Sequence, residues 1–352
     1  MTHVLVSRLD SLGDVLLAGP AIRAVAAGSD RVTLLCGPRG RAAAELLPGV
    51  DELLDMHAPW IDPEPEPVSR GAVLEWVDAL AARGIDRALI LGSFHQSPLP
   101  TALLARMAGI AEIAAISEDY PGSLLDVRHR VRDDLHEVQR ALSTAATLGY
   151  ELPPGDDGAL AVGRPAAARA AAAAARARLT GEDEPYVVVH PGASVPARAW
   201  SPERNAALVD ALASQGRRVA VTGAPDERAL TARVAGPRRP GVADLGGVLD
   251  LSGLAEVIRG AEAIVVGNTG PAHLAAAVGT PVVSLFAPTV PPARWRPWRV
   301  AHELLFVDVP CAGCRARVCP VAGHPCLEGV GVEDVAAALG RLAPQRQEAL
   351  SA

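Results

Sequence analysis

The feature that most constrains this chain is an alternation between short apolar runs and longer segments with helical character. In the first half, each apolar run is long enough for one strand and is followed by a helical segment. Such alternation is typical of parallel sheets covered by helices. We therefore predict strands at residues 4–6, 32–36, 87–91 and 113–116, and helices at 14–27, 39–47, 98–108 and 133–148.

A change in composition divides this pattern into two halves. Residues 151–157 are rich in Pro, Gly and Asp, and residues 164–179 are an Ala/Arg run with high helix propensity, which we interpret as a surface helix. Residues 180–185 are polar and turn-like. The predicted organisation is a first domain at 1–155, a linker with the Ala-rich helix at 156–185, a second domain at 186–330, and a C-terminal helix and tail at 331–352.

The second half repeats the alternation of the first. Ser201 suits an N-cap and Pro202 the first helical position of a helix at 202–214. The remaining helices are expected at 226–235, 251–260 and 271–278, between strands at 186–189, 218–222, 242–245, 263–266 and 281–285. Two successive units of this kind predict an α/β protein with two Rossmann-like domains and parallel sheets.

Charge and hydropathy narrow the classes of function. The chain has 352 residues and a formal net charge of −7, whereas a nucleic-acid-binding protein normally shows a basic surface. No apolar stretch approaches the ~20 residues that span a bilayer, and no secretory signal is visible. We expect a cytoplasmic protein without nucleic-acid partners or a transmembrane segment, and weak association with a membrane surface stays open.

The loop after the first strand carries two carboxylates. Ligands of open parallel sheets bind beside the carboxyl ends of the strands, so this loop is a candidate site. It lacks the G-x-G-x-x-G pattern, which disfavours a dehydrogenase. Its candidate residues are Asp10, Ser11, Gly13 and Asp14. The alternative interpretation is that Asp10 or Asp14 merely caps the following helix.

Two loops of the second half could bind a diphosphate. In the loop that follows residues 186–189, Ser194 offers a hydroxyl and Arg198 a forked cation suited to phosphate oxygens. An ordinary loop with a solvated arginine is the alternative. Thr222 and Gly223 follow the next strand and could line a nucleotide pocket, although the motif is unspecific and a plain turn is the favoured interpretation.

A third loop joins the apolar strand at 263–266 to a helix. Small residues at a helix N-terminus leave backbone N–H groups available to an anion. Asn268, Thr269 and Gly270 occupy this junction, and His273 follows about one turn into the helix. A single histidine in such a place is more often packed than catalytic.

Four of the five cysteines cluster near the C-terminus. Cys311, Cys314, Cys319 and Cys326 lie close together in the sequence with His324 among them, and structural zinc is possible. The spacing does not form two regular C-x2-C pairs, so we favour reduced cysteines that pack a C-terminal loop. No cofactor and no catalytic metal are expected.

Three ordered motifs together resemble glycosyltransferase family 9, which includes the ADP-heptose:lipopolysaccharide heptosyltransferases. Residues 5–17 are similar to the family's N-terminal signature, and residues 190–193 with Arg198 and Trp200 resemble its phosphate loop. Residues 267–277 resemble its most specific C-terminal segment, and the cysteine cluster is also familiar from it. The resemblance extends from the first strand to the last helix.

The resemblance implies a GT-B fold, in which two Rossmann-like domains face each other. The N-terminal domain would bind the acceptor and the C-terminal domain the ADP-sugar, with inverting, metal-independent transfer. Asp14 matches the family's general base, and Arg198 stands where the family often has a phosphate-binding lysine. The remaining matches to the donor site are Ser194, Thr269, Gly270 and His273.

One departure from the family's pattern concerns the donor. Asn268 stands where the family often has Asp, and an amide can bind sugar hydroxyls but carries no charge. The acceptor could be the lipopolysaccharide core, another glycan or a small natural product. Residues 59–67, acidic and rich in Pro, could form a mobile acceptor loop or a plain surface loop.

Two other functions fit the same residues. A sugar-nucleotide epimerase or hydrolase would convert the donor without an acceptor. A catalytically inactive protein would bind a nucleotide-sugar as a scaffold, although the presence of both Asp14 and Arg198 disfavours it.

Overall fold

The computed structural model describes residues 1–93, 95–179 and 184–351, without the side chains of 343–351. The chain forms two compact units, Met1–Gly163 and Arg164–Ala352. The segment at 156–185, predicted as a linker with a helix, divides between these units, and residues 180–183 of its predicted turn lie outside the described residues.

The first unit contains a six-stranded parallel sheet with the order β3-β2-β1-β4-β5-β6. Its strands are β1 (His3–Arg8), β2 (Arg31–Cys36), β3 (Glu52–Asp55), β4 (Arg87–Leu91), β5 (Glu112–Ile116) and β6 (Val127–His129). Its helices are α1 (Leu12–Ala27), α2 (Arg41–Ala44), α3 (Arg70–Ala81), α4 (Leu99–Met107) and α5 (Glu137–Ala146). All of β1 is buried, as expected of a central parallel strand.

The second unit repeats this topology with the order β12-β11-β10-β7-β8-β9. Its strands are β7 (Tyr186–His190), β8 (Arg218–Val221), β9 (Val242–Asp244), β10 (Ala263–Gly267), β11 (Val282–Leu285) and β12 (His302–Leu305). Its helices are α6 (Ala166–Arg176), α7 (Pro202–Ser214), α8 (Arg228–Ala235), α9 (Leu251–Gly260), α10 (Gly270–Val278), α11 (Pro292–Trp295), α12 (Pro325–Glu328) and α13 (Val332–Ser351). The prediction of an α/β protein with two parallel Rossmann-like sheets is confirmed.

The Ala/Arg run forms the predicted surface helix, α6, with most of its residues exposed and one narrow face buried. Ala168, Ala172 and Ala175 recur at helical spacing and are buried where α6 packs against α9. Arg164 fixes the start of this helix, because its guanidinium contacts both carboxylate oxygens of Glu256 at 3.0 and 2.8 Å. Small alanine side chains allow the two helices to lie close together.

Two helices are much shorter than predicted. The helix predicted at 39–47 covers Arg41–Ala44, and the one predicted at 133–148 covers Glu137–Ala146. The second begins late because His136 is its N-cap: the His136 ring accepts from the backbone N–H of Val138 at 3.2 Å, and Gln139 bonds back to the His136 N–H. Six elements that the structure describes were not predicted from the sequence: β3, α3, β6, β12 and the short helices α11 and α12.

The acidic, Pro-rich segment at 59–67 has no regular secondary structure. Its Trp60 donates from Nε1 to the Thr101 hydroxyl at 3.2 Å and lies edge-on to Trp76, with 6.4 Å between the ring centroids. Trp60 therefore anchors one end of the segment to α3 and α4. A role in acceptor binding stays a prediction.

Candidate functional site

Each sheet has its topological switch point at its first strand. β1 lies between β2 and β4, and β7 lies between β8 and β10, so the connections leave in opposite directions on the two sides. Open α/β sheets bind ligands beside the carboxyl ends of the strands at such points. The loops after β1 and β7, which sequence analysis singled out, are therefore where each unit is best suited to bind a ligand.

Neither Asp10 nor Asp14 occupies the N-cap position of α1. The N-cap is Ser11, and its hydroxyl donates to Oδ2 of Asp14 at 2.8 Å. Asp14 lies in the first turn, where the helix dipole favours a negative charge. Gly13, the second residue of the helix, is buried.

Asp10 and Asp14 converge on one buried cation at the end of β1. Nε of Arg8 lies 2.9 Å from Oδ2 of Asp10, and Nη2 of Arg8 lies 3.1 Å from Oδ1 of Asp14. Burial raises the pKa of Asp10 to about 6, with Asp14 adding to the rise and Arg8 opposing it. Because three carboxylates share this one guanidinium, its charge does not offset the effect of burial on the pKa of Asp10.

Two further residues of this cluster escaped sequence analysis. Ser93, in the loop after β4, accepts from Nη2 of Arg8 and donates to Oδ2 of Asp10 at 3.1 and 3.2 Å. Glu137, in the first turn of α5, lies 3.8 Å from Nη1 of Arg8. The β1 loop was selected because it follows the end of a strand. Ser93 also follows the end of a strand and could have been selected in the same way, whereas the sequence around Glu137 carries no comparable signal.

Arg198 is at the centre of the candidate site in the second unit. It ends a short 3₁₀ turn after β7, and its Nε donates to the hydroxyl of Thr289, 3.3 Å away in the loop after β11. Gly267, the last residue of β10, permits this arrangement: a Cβ there would lie 2.5 Å from the backbone oxygen of Arg198. The loops after β7, β10 and β11 are thus in direct contact.

The loops after β7 and β8 meet at a histidine. Nδ1 of His190 lies 3.0 Å from the hydroxyl of Thr222, and burial lowers the pKa of His190 to about 4. The carboxylate of Glu227 occupies the space that side chains would need at Gly192 and Gly223, and it accepts from the N–H of Ala224 at 2.8 Å. Sequence analysis recognised neither Glu227 nor Thr289, although both follow strand ends.

The third loop forms the N-terminus of α10. Thr269 is its N-cap and Gly270 its first residue, while His273 is buried one turn later. Asn268 is also buried, and its side-chain N–H₂ donates to the backbone oxygen of Ala287 at 3.4 Å. Its Oδ1 has no hydrogen-bond partner within the part of the chain that the structure describes. Ser194 lies exposed in the β7 loop.

The cysteine segment is attached to the Arg198 turn. The backbone N–H of Ala197 donates to the oxygen of Arg317 at 2.9 Å, and Nε2 of His324 lies 3.1 Å from the oxygen of Ala197. The N–H of Arg315 donates to the oxygen of Thr289 at 3.0 Å. This otherwise exposed segment therefore supports both residues of the Arg198–Thr289 contact.

The cysteines themselves line a small cavity of about 30 Å³ together with His324. All five cysteines of the chain are free thiols. Burial raises the pKa of Cys326, and the nearby Cys319, Cys311 and Cys314 raise it further. Within the described residues, His, Cys, Asp and Glu side chains form no group of three or more that could hold a metal ion.

Among the helices that the structure describes, none is long and apolar enough to cross a membrane.

Comparison with known proteins relates the chain to one enzyme family. The model of glycosyltransferase family 9 (heptosyltransferase) matches residues 77–324, more than two thirds of the chain. Lipopolysaccharide heptosyltransferase 3 of Escherichia coli is 36% identical over 121 residues, 34% of this chain. The alignment spans 35% of that relative's length. The matched region of the family model includes Arg198 and the α10 loop but not Asp14.

Solved structures match nearly the whole chain. A family 9 glycosyl transferase from Veillonella parvula has a TM-score of 0.81 and 20% identity, with 98% of each chain covered. The ADP-heptose lipopolysaccharide heptosyltransferase II of E. coli has a TM-score of 0.75 and 18% identity, covering 99% of this chain and all of the other. These similarities confirm the predicted GT-B fold.

Proposed function

Because the chain belongs to glycosyltransferase family 9, we propose that it transfers a heptose or a related sugar from an ADP-sugar to an acceptor hydroxyl. The observation that carries this proposal is the contact of Arg198 with Thr289 beside the N-terminus of α10, at the carboxyl ends of the central strands. Such a combination of a forked cation and free helix N–H groups is suited to a diphosphate.

The N-terminal unit would supply the base and bind the acceptor. Asp14 would take the proton of the acceptor hydroxyl as that oxygen attacks the anomeric carbon. A positioned carboxylate contributes roughly 10²–10⁴-fold by general-base catalysis. Asp14 suits this role because its side chain keeps 18% of its surface exposed, whereas Asp10 keeps 6%.

The C-terminal unit would bind the ADP-sugar and stabilise the leaving group. The diphosphate gains negative charge as the glycosidic bond breaks, and Arg198 with the N-terminus of α10 would oppose that charge. Ser194, Thr269 and Gly270 would add hydroxyl and backbone donors. The family often has lysine where Arg198 stands, and this sequence contains no lysine.

The nucleoside would lie between the loops after β7 and β8. Thr222, Gly223 and His273 would line its pocket, and the Glu227 carboxylate is placed to accept hydrogen bonds from ribose hydroxyls, as acidic residues do in other Rossmann folds. Asn268 would bind a hydroxyl of the transferred sugar through its Oδ1 atom.

A single displacement with inversion fits this division of roles. The acceptor oxygen would attack on the face opposite the diphosphate, so one step inverts the anomeric carbon. Positive charge from Arg198 and from the N-terminus of α10 would replace the metal ion that other transferases use at the diphosphate. We propose a glycan acceptor of the lipopolysaccharide-core type, which the names of the relatives indicate.

Nucleotide binding is the first test of this proposal. Calorimetric titration with ADP, GDP, UDP and dTDP should show micromolar affinity for ADP and at least tenfold weaker binding of the others. Arg198→Ala should weaken ADP binding by about tenfold or more, because a charge-assisted hydrogen bond contributes ~1.5–3 kcal/mol. Arg233→Ala is the matched control, because Arg233 is an exposed arginine of α8 that pairs with Glu203 of α7. This variant should bind ADP normally.

The outcomes separate the competing functions. Preference for another nucleotide would overturn the ADP-sugar assignment but not the transferase. If ADP-heptose is converted without any acceptor and the product is an isomer rather than free sugar, the result would favour the epimerase. Normal ADP binding with no ADP release in the presence of heptose-deficient lipopolysaccharide would favour the inactive nucleotide-sugar-binding protein.

A further inference from the structure

Arg8, to which the proposed reaction gives no role, is the centre of a charge cluster that includes Asp14. Its guanidinium lies at the carboxyl end of β1 and contacts side chains from three other parts of the first unit. The contacts join Nε to Asp10 at 2.9 Å, Nη2 to Asp14 and to Ser93 at 3.1 Å each, and Nη1 to Glu137 at 3.8 Å. One cation therefore links the loop after β1 to the loop after β4 and to α5.

Burial falls in order from the inside of this cluster to its outer edge. The side chains of Glu137, Arg8 and Asp10 keep 2%, 4% and 6% of their surface exposed, whereas Asp14 keeps 18%. Asp14 is thus the carboxylate of the cluster that reaches the solvent. Its other oxygen accepts from the Ser11 hydroxyl at 2.8 Å, so both carboxylate oxygens are oriented from within the protein.

The geometry requires a guanidinium rather than any cation. Asp10 and Asp14 are contacted by two different nitrogens of one rigid plane, so fixing the plane through Asp10 also fixes the direction of Nη2 toward Asp14. A lysine ammonium is a point charge on a flexible stem and cannot hold two carboxylates in a fixed relation. Removing the cation altogether would leave Asp10 and Asp14 without this buried counter-charge.

We propose that Arg8 is a positioning residue that aims the Asp14 carboxylate at the acceptor hydroxyl, with Asp10, Ser93 and Glu137 holding the guanidinium in place. The proposal rests on the proposed function, in which Asp14 is the base. It concerns the turnover step, because Arg8 lies in the first unit and the residues proposed to bind ADP lie in the second.

Arg8→Lys tests this role, with Arg140→Lys as the matched control. Arg140 is a second buried arginine of this unit, and its Nε lies 3.5 Å from Glu137. Turnover is measured as ADP released from ADP-heptose with heptose-deficient lipopolysaccharide, and ADP binding by calorimetry. Arg8→Lys should lower kcat about 10²-fold, which is the effect expected when a catalytic group is displaced by about 1 Å. The Kd for ADP and the KM for the donor should stay within about twofold of wild type. Arg140→Lys should keep kcat within threefold.

Asp14→Asn separates failure of this proposal from failure of the proposed function. If Asp14→Asn abolishes turnover while Arg8→Lys behaves like Arg140→Lys, the positioning role is overturned and the base stands. If Asp14→Asn turns over normally, or wild type releases no ADP, the proposed function fails and the positioning role with it. Equal losses in kcat and ADP affinity in Arg8→Lys would indicate a merely structural role and overturn the proposal.

Ser93→Ala keeps the proposal testable if Arg8→Lys does not fold. It removes one hydroxyl that accepts from Arg8 and donates to Asp10, and it leaves every charge in place. We expect a folded protein whose kcat is lower by about three- to tenfold at unchanged ADP affinity, because Arg8 itself loses one of its hydrogen bonds. Wild-type kcat in Ser93→Ala, with Arg8→Lys unfolded, would overturn the positioning role.

Discussion

Gly267→Ala should disturb the proposed diphosphate site without removing any polar group. An added Cβ would lie 2.5 Å from the backbone oxygen of Arg198, whereas ordinary van der Waals contact begins near 3.4 Å. The two atoms would have to separate by about 0.9 Å, and the obstructing atom is backbone, so no side-chain rotation relieves the clash. Overpacking of this kind costs about 1–3 kcal/mol of stability.

The same displacement determines the expected loss of ADP affinity. It would move the turn Pro196–Arg198 away from Thr289, whose hydroxyl lies 3.3 Å from Nε of Arg198. Misaligning one charge-assisted hydrogen bond to the diphosphate should weaken ADP binding about tenfold, equivalent to ~1.4 kcal/mol. Calorimetry gives the Kd, and urea unfolding gives the stability.

Gly340→Ala is the matched control. Gly340 lies in α13, and no atom outside its own helix lies within 4 Å of a Cβ built there. This variant should bind ADP as wild type does and should be no less stable, since alanine favours helix over glycine by ~1 kcal/mol. If Gly267→Ala loses stability but binds ADP within twofold of wild type, the turn at Arg198 is not part of the ADP site.

Three further measurements test the electrostatics and the supporting segment. Asp10 has a folded-state pKa of about 6, raised from 3.8, so its contribution to the free energy of unfolding is full below pH 3.8 and is lost as pH rises through about 6. Urea unfolding between pH 4 and 7 should show this loss of stability in wild type and not in Asp10→Asn. The same pH dependence in both proteins would contradict the prediction. His324→Ala should weaken ADP binding about three- to tenfold, because the ring supports the Ala197 oxygen beside Arg198; an unchanged Kd would show that the cysteine segment does not support the turn. The exposed Cys311 and Cys314 should be alkylated by iodoacetamide before Cys326, because burial raises the pKa of the Cys326 thiol. Mass spectrometry gives the order of alkylation, and the reverse order would refute the prediction.

The sequence predicted most of the fold because the central elements are set by local pattern. Val4 to Val6 and Val187 to Val189 are fully buried apolar runs, and such runs indicate central parallel strands. The edge elements could not be predicted in the same way. Strands β3, β6 and β12 are three or four residues long and half-buried at several positions, so their pairing with a neighbouring strand, rather than their own pattern, makes them strands.

The candidate sites were predictable to the extent that they follow strand ends. Asp14, Arg198 and the α10 loop were selected by this rule. Glu227 follows the end of β8 but was not selected, and Glu137 follows no strand end that the sequence indicates. The importance of both arises from contacts across sequence separations that no local pattern records. Glu227 fills the space left by Gly192, 35 positions earlier, and Glu137 reaches an arginine of the first strand. The roles of the selected residues stay predictions until the variants are measured.

The two units share one topology but differ in charge at their switch points. Beside β1, a buried arginine is outnumbered by the carboxylates of Asp10, Asp14 and Glu137, so the outermost group is an acid. Beside β7, Arg198 is partly exposed and the adjacent α10 presents the positive end of its dipole, while the carboxylate of Glu227 lies on the side of the β8 loop, beside His190. A reaction that removes a proton from one substrate and stabilises a departing diphosphate on the other needs these two opposite environments. The difference in charge between two otherwise similar sheets therefore supports a transferase more strongly than either site does alone.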